Sequence, residues 1–352
     1  MKTILILIFF IAINYLTFAQ ASGHLAPVRG SADHNDYHNL EPKGILDDQT
    51  ILNLTIVTGS LTNTKLVATY FSTFGFLTIT DQTKVHLKLH GTVAQFSQVF
   101  NTTFVEYHCE DNYNKMCFAT TSEVYLPASL HSAIVGILGL EQVLKQKPHW
   151  RGEPRRAPRA AASYFLGSQA AQVYGVPAST GAGIKVGIIT LGGYFKQSEL
   201  NTFFSSNGLG TAPTINIVYV DGATQTLSDS NTAVENYLDV EIIASVVPQA
   251  TITFYFGPNT GQGFYDVFNQ AILNNNIVSA SWGSAEYGNP GSYMNSFQTL
   301  FSTYSNVPVF IATGDDGAYI SPSTTAISAG FPSSCPNAIG KKKGKNYFLK
   351  FF

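Results

Sequence analysis

Five short apolar runs set the strongest constraint on this chain. IKVGIITLGG (184–193), INIVYV (215–220), ATITFYF (250–256), NIVSASWG (276–283) and VPVFIATGDDG (307–317) are rich in β-formers and poor in charge. Around and between them, residues 195–206, 233–247, 263–275 and 292–305 carry helical spacing. A strand that is apolar along its length is buried on both faces. The alternation therefore predicts a parallel sheet covered by helices on both sides. Sites in such sheets gather at the carboxyl ends of the strands, where this chain places Gly192-Gly193 and Gly314-Asp315-Asp316-Gly317.

The first half reads differently. Between Ile51 and Glu141 the pattern is mixed α and β. Residues 83–89 alternate, with Val85, Leu87 and Leu89 on one face, as a strand does. After Gly91, Val93, Phe96, Val99 and Phe100 have helical spacing, and residues 126–142 predict a short helix followed by a strand. KQKPHWRGEPRRAPRAAA (145–162) then breaks the composition with six bases, three prolines and one acid. Such a run predicts an exposed linker open to proteolytic nicking. Two domains follow.

The chain begins MKTILILIFFIAINYLTFAQ. Lys2, the apolar run Ile4–Ile13 and the small residues near Ala19 have the layout of a secretory signal peptide cut before Gln20. No later segment is long and apolar enough to cross a bilayer, so the expected mature chain is exported and not membrane-bound. Asn53 and Asn101 head glycosylation acceptor triplets. Cys109 and Cys117 are close enough to staple a hairpin in an oxidising compartment, leaving Cys335 over.

Residues 163–339 hold ten acids against only Lys185 and Lys196, a poor surface for nucleic acid. All eight histidines lie at or before His149, so chemistry in the later domain proceeds without imidazole. The acids then matter most. VENYLDVEII (234–243) spaces Glu235 and Asp239 four apart on one helix face, where like charges repel; alone, such a pair reads as a solvated face. Asp315, just past an apolar strand, adds a third acid, although Asp and Gly also favour plain turns. Carboxylates gathered in a dry cleft raise one another's pKa and suit acid–base work.

The ordered segments GIKVGIITLGG, VENYLDVEII, VSASWG, VFIATGDDG and FPSSCP resemble the sedolisins, the serine-carboxyl peptidases that include tripeptidyl peptidases. HGTVAQFSQVF with LPASLHSAIVGILGLEQ is similar to the activation domain that precedes them. The resemblance implies an α/β fold, with a subtilisin-like parallel sheet flanked by helices, incomplete at its C-terminus and preceded by a smaller α/β activation domain. It implies a signal peptide at 1–19, the activation domain at 20–142, a basic linker at 143–162, a truncated peptidase domain at 163–339 and a tail unlike the family at 340–352. Glu235 matches the general base, Asp239 the acid that orients it, and Asp315 the oxyanion-hole acid. Ser281, Trp282 and Gly283 match the strand that binds substrate. Thr190 stands where ordinary subtilases end a strand in their catalytic aspartate.

The family's nucleophile is a serine in Gly-Thr-Ser, and that triplet is absent from these 352 residues. No metal site or cofactor is expected within the chain, because the family's calcium site lies beyond the matched portion. The reading is an acid-active serine-type peptidase precursor, extracellular or lysosomal, whose partners are peptide substrates and its own activation domain. As given it is expected to be inactive and to leave an apolar sheet edge unpaired. The alternatives are a catalytically dead homologue acting as a binding or inhibitory module, and an unrelated carboxylate-pair hydrolase.

Overall fold

The computed structural model describes residues 25–28, 40–75, 77–109, 115–142, 146–148, 165–287, 289–319 and 326–341. The signal-peptide segment, most of the basic run and everything past Lys341 fall outside the described residues. Two compact units divide the chain: Met1–Val143 with Pro290–Ser296, and Leu144–Asn289 with Phe297–Phe352.

The first unit runs β1 (Leu25–Pro27), β2 (Pro42–Ile45), β3 (Ile51–Thr58), α1 (Leu61–Ser72), β4 (Thr78–Gln82), β5 (His86–Thr92), α2 (Val93–Phe100), β6 (Phe104–Cys109), β7 (Lys115–Thr120), β8 (Tyr125–Pro127), α3 (Ala128–His131) and β9 (Ile134–Leu138). An antiparallel sheet in the order β4-β5-β3-β9 carries its core. The alternation in β5 buries Leu87 and Leu89 against Phe96 and Phe100 of α2. Helix α2 starts where the sequence offers Thr-x-x-Gln: Gln95 N–H donates to Thr92 Oγ1 (3.3 Å), and Thr92 N–H donates to Gln95 Oε1 (2.7 Å). Asn101 closes the helix in the left-handed region, φ 48°. Cys109 and Cys117 are joined in a disulfide across β6 and β7. Asn53 lies on the exposed side of β3, its Oδ1 2.9 Å from His90 Nδ1.

The second unit runs β10 (Lys147–Pro148), α4 (Gly167–Val173), β11 (Lys185–Thr190), α5 (Gln197–Ser206), β12 (Asn216–Tyr219), α6 (Ser230–Val246), β13 (Thr251–Phe256), α7 (Gly261–Asn274), β14 (Ile277–Ala280), β15 (Trp282–Ala285), α8 (Gly291–Thr303), β16 (Val309–Ala312), β17 (Gly330–Phe331) and β18 (Ala338–Lys341). Six parallel strands lie in the order β12-β13-β11-β14-β16-β18. Helices α5 and α6 seal one face, where Leu200, Phe204, Val240 and Ile243 meet Ile188, Ile252 and Phe254. On the other face, Asn275 at the end of α7 donates to the Tyr255 hydroxyl (2.8 Å). The chain grows from β11 toward β12 on one side and from β14 toward β18 on the other. The switch point that opens a crevice therefore lies at the carboxyl ends of β11 and β14.

Two expectations need correction. NIVSASWG is not one strand: β14 ends at Ala280, and after Ser281 the chain leaves as β15 for a separate sheet, β10-β15-β17. Nor is the edge of β16 left unpaired. Gly340 and Lys341 continue β18 and pair in parallel with Ile311 and Ala312, so the apolar edge of β16 is covered. Gly340 and Lys341 follow Ile339 in an extended run, and backbone pairing asks nothing of their side-chain chemistry.

Candidate active site

Helix α6 is built to enter the crevice. Asp229 caps it, accepting from Thr232 N–H at 3.0 Å. Gly193, at φ 68°, lets the turn after β11 press against the helix start, where a Cβ would meet Ala233 N at 2.6 Å. Between them a closed polar network fixes the helix. Thr190 Oγ1 donates to Asn236 Oδ1 (2.7 Å), while Asn236 Nδ2 donates to Gly192 O (3.1 Å) and Tyr194 O (3.2 Å). Asn236 is a site residue that sequence reasoning missed. A polar side chain beside Glu235, inside an otherwise apolar helix, was the available signal.

Helix α6 turns its acidic pair into the protein together with Val240 and Ile243. Glu235 is 0% exposed and Asp239 7%, whereas Val234 and Leu238 are 38% and 36% exposed. The solvated-face reading of this pair is thereby overturned. Ordinary packing would place the aliphatic side chains inside, since buried carboxylates carry a heavy desolvation cost.

Asp239 Oδ1 accepts from Ser281 Oγ at 2.8 Å. Burial pushes the Asp239 carboxyl up to about 6, while the Lys341 charge and the Ser281 hydrogen bond pull it down. Lys341 itself donates to Ser279 Oγ at 2.6 Å. Its ammonium is driven below the ordinary value by burial and held up by Asp239. Ser279 and Ser281, two residues apart, thus bond to Lys341 and Asp239 respectively, a feature invisible from sequence because Lys341 comes from a run that looked foreign.

Trp282 and Gly283 follow in β15. Trp282 is buried, and its Nε1 has no acceptor among the described residues. Lys147 and Pro148 pair antiparallel with Gly283 and Trp282, so β15 already holds a short extended stretch of peptide. Asp315 is half-buried, three residues past the end of β16 and so on the same carboxyl edge as Ser281. Cys335 is buried, and burial with the Glu286 charge pushes its thiol up to about 12, leaving it an inert sulfur. Among the described residues no group of three or more His, Cys, Asp or Glu side chains is placed to hold a metal ion.

Residues 57–143 match the family described as pro-kumamolisin, activation domain. Over 268 residues, 71% of this chain, the sequence is 30% identical to kumamolisin of Bacillus sp. (strain MN-32), covering 48% of that protein. The chain is similar to the sedolisin family. Sedolisin of Pseudomonas sp. (strain 101) is 27% identical over 270 residues, 71% of this chain and 46% of that protein. The chain therefore spans about half the length of the curated relatives it matches. A solved structure of Pseudomonas sedolisin, a serine-carboxyl proteinase complexed with two molecules of pseudo-iodotyrostatin, aligns with TM-score 0.43 and 22% identity over 52% of this chain and 54% of that one. In chain order, the residues that match the activation domain precede the parallel-sheet unit.

Proposed function

We propose that this chain belongs to an exported serine-carboxyl peptidase zymogen that works in acid, in the extracellular space or a lysosome. Glu235 is the general base and Asp239 orients it. Asp315 is the oxyanion-hole residue, a contribution worth about 3–4 kcal/mol in enzymes of this type. The observation that carries the reading is the inward acidic face of α6, with Asp239 bonded to Ser281 at the mouth of a peptide-holding strand. A carboxylate titrating near 6 can share a proton with its neighbour at the mildly acidic pH where such work is done. The substrate is an extended peptide, because β15 offers backbone pairing. The activation domain is the intramolecular partner, removed by cleavage within the basic run.

The nucleophile is the missing part. Without a Gly-Thr-Ser serine the 352 residues retain only binding and oxyanion groups, which leave activity orders of magnitude below normal. Purified chain, freed of its activation segment, is expected to leave an internally quenched peptide uncut between about pH 3 and 5, a window bracketing ordinary carboxylates. Reading the genome downstream of the Ala338 codon should reveal a frame encoding Gly-Thr-Ser. The product of that frame should cleave in acid and lose activity on Glu235→Ala. Turnover by the present chain that Glu235→Ala abolishes would show that another residue is the nucleophile.

A further inference from the structure

The short strand β10 is gripped on two edges. Gln146, immediately before it, is buried to 2% exposure. Its N–H donates to Asn259 Oδ1 at 2.8 Å, and its carbonyl accepts from Asn259 Nδ2 at 3.0 Å. One carboxamide thus reproduces both hydrogen bonds of a strand neighbour. In an extended chain, successive residues direct their backbone groups to opposite sides. Gln146 faces Asn259, so Lys147 faces β15, where Gly283 lies opposite. Pro148 faces away from β15 again, at a position where its missing N–H takes nothing from that ladder.

Asn259 is held for this task. It lies in the turn Gly257–Thr260 between β13 and α7. Gly257 N–H donates to Thr190 O (3.0 Å), Thr260 N–H to Pro258 O (2.8 Å), and Gly263 N–H to Thr260 Oγ1 (3.0 Å). Register also gives direction. From Lys147 to Pro148 the partner moves from Gly283 to Trp282, toward Ser281 and its bond to Asp239. The gripped residue is therefore on the amino-terminal side of any peptide bond presented to the carboxylates.

We infer that the Asn259 carboxamide is a backbone clamp forming a peptide subsite opposite β15, one that requires a free N–H and so rejects proline or an N-methylated residue at the Gln146 position while admitting proline two residues later. This rests on the reading of β15 as the peptide-binding strand. Proline at the clamped position would leave Asn259 Oδ1 buried without its donor, the costly half of a lost hydrogen bond.

Amide hydrogen exchange on the full chain tests it. The Gln146 and Lys147 amides should both be protected in the wild type. N259A should speed exchange at Gln146 by about tenfold or more, two net hydrogen bonds being at stake, with a smaller change at Lys147. N259D, isosteric and safe for the turn, keeps the acceptor and loses the donor, so its effect should fall between. Unchanged Gln146 protection in both variants overturns the clamp and leaves the peptidase reading standing. A wild type with Gln146 unprotected and Lys147 protected does the same. If both amides exchange freely, β10 is not seated on β15, and the clamp falls together with its structural support for a peptide substrate.

Discussion

Ser281→Ala removes one hydroxyl from beside a buried carboxylate, and its effect should depend on pH in a calculable way. Ser281 Oγ donates to Asp239 Oδ1 at 2.8 Å in a site closed to water. A hydrogen bond to a charged group contributes about 1.5–3 kcal/mol, one between neutral partners about 0.5–1.5. Above the Asp239 pKa of about 6 the first value applies, and well below it the second. The difference, roughly 1–1.5 kcal/mol, corresponds to an upward move of the Asp239 pKa by about one unit.

The sign is fixed by linkage. A carboxyl whose folded pKa is raised contributes stability in acid and loses it as pH climbs through the folded value. S281A should steepen that loss and carry it to higher pH. Urea unfolding should show about 2 kcal/mol of destabilisation near pH 8 and about 1 kcal/mol near pH 4. The reasoning fails if the two values are equal within error, since Ser281 would then be packing rather than stabilising a charge.

Three further outcomes follow from the same structure. Asp239 sits near 6, and Glu241, raised by burial and by Glu199, sits near 7. The unfolding free energy should therefore increase on acidification from about pH 8 to about pH 4, and Asp239→Asn should remove part of that slope. Gly193→Ala should cost well over 2 kcal/mol, because strain at φ 68° adds to a clash with Ala233 N, whereas Gly208→Ala, at φ 66° with nothing nearby, should cost only about 1 kcal/mol; denaturant midpoints separate the two. Limited proteolysis should cut first between Lys145 and Arg159, and preferential cutting inside 184–320 would contradict the proposed domain boundary.

Much of the second unit's framework was legible because period and charge agree there. Each of the apolar runs at 184–193, 215–220, 250–256 and 307–317 contains a parallel strand; the helical stretch at 195–206 contains α5, and the other three overlap α6, α7 and α8, which each start one to three residues earlier. What local pattern cannot say is which way a helix faces. In α6, Val234 and Leu238 have the spacing of a core stripe, and Glu235 and Asp239 that of a wet one. Both stripes fit the same helix, and the choice between them is made by partners distant in sequence. Thr190, Gly192 and Tyr194 capture Asn236, and Ser281 supplies a donor to Asp239.

The choice of face is itself informative about energy. Rotating α6 by half a turn would return two carboxylates to water and bury Val234 and Leu238, but it would also expose Val240 and Ile243, now 0% and 2% exposed in the core. That core packing, the fixed network around Asn236, the Asp229 cap and the close seat at Gly193 together set the orientation of the helix. They hold the acids inward at the one place where the strand order reverses and a peptide strand is paired. The distant charge of Lys341, reaching Ser279 from β18, then sets how readily Asp239 keeps its proton. Lys341→Met, similar in length and without charge, should therefore raise the Asp239 pKa above 6 and move the acid-stability transition to higher pH. An unchanged transition would show that the ammonium does not reach the carboxylate electrostatically, and that the inward face is balanced by Ser281 alone.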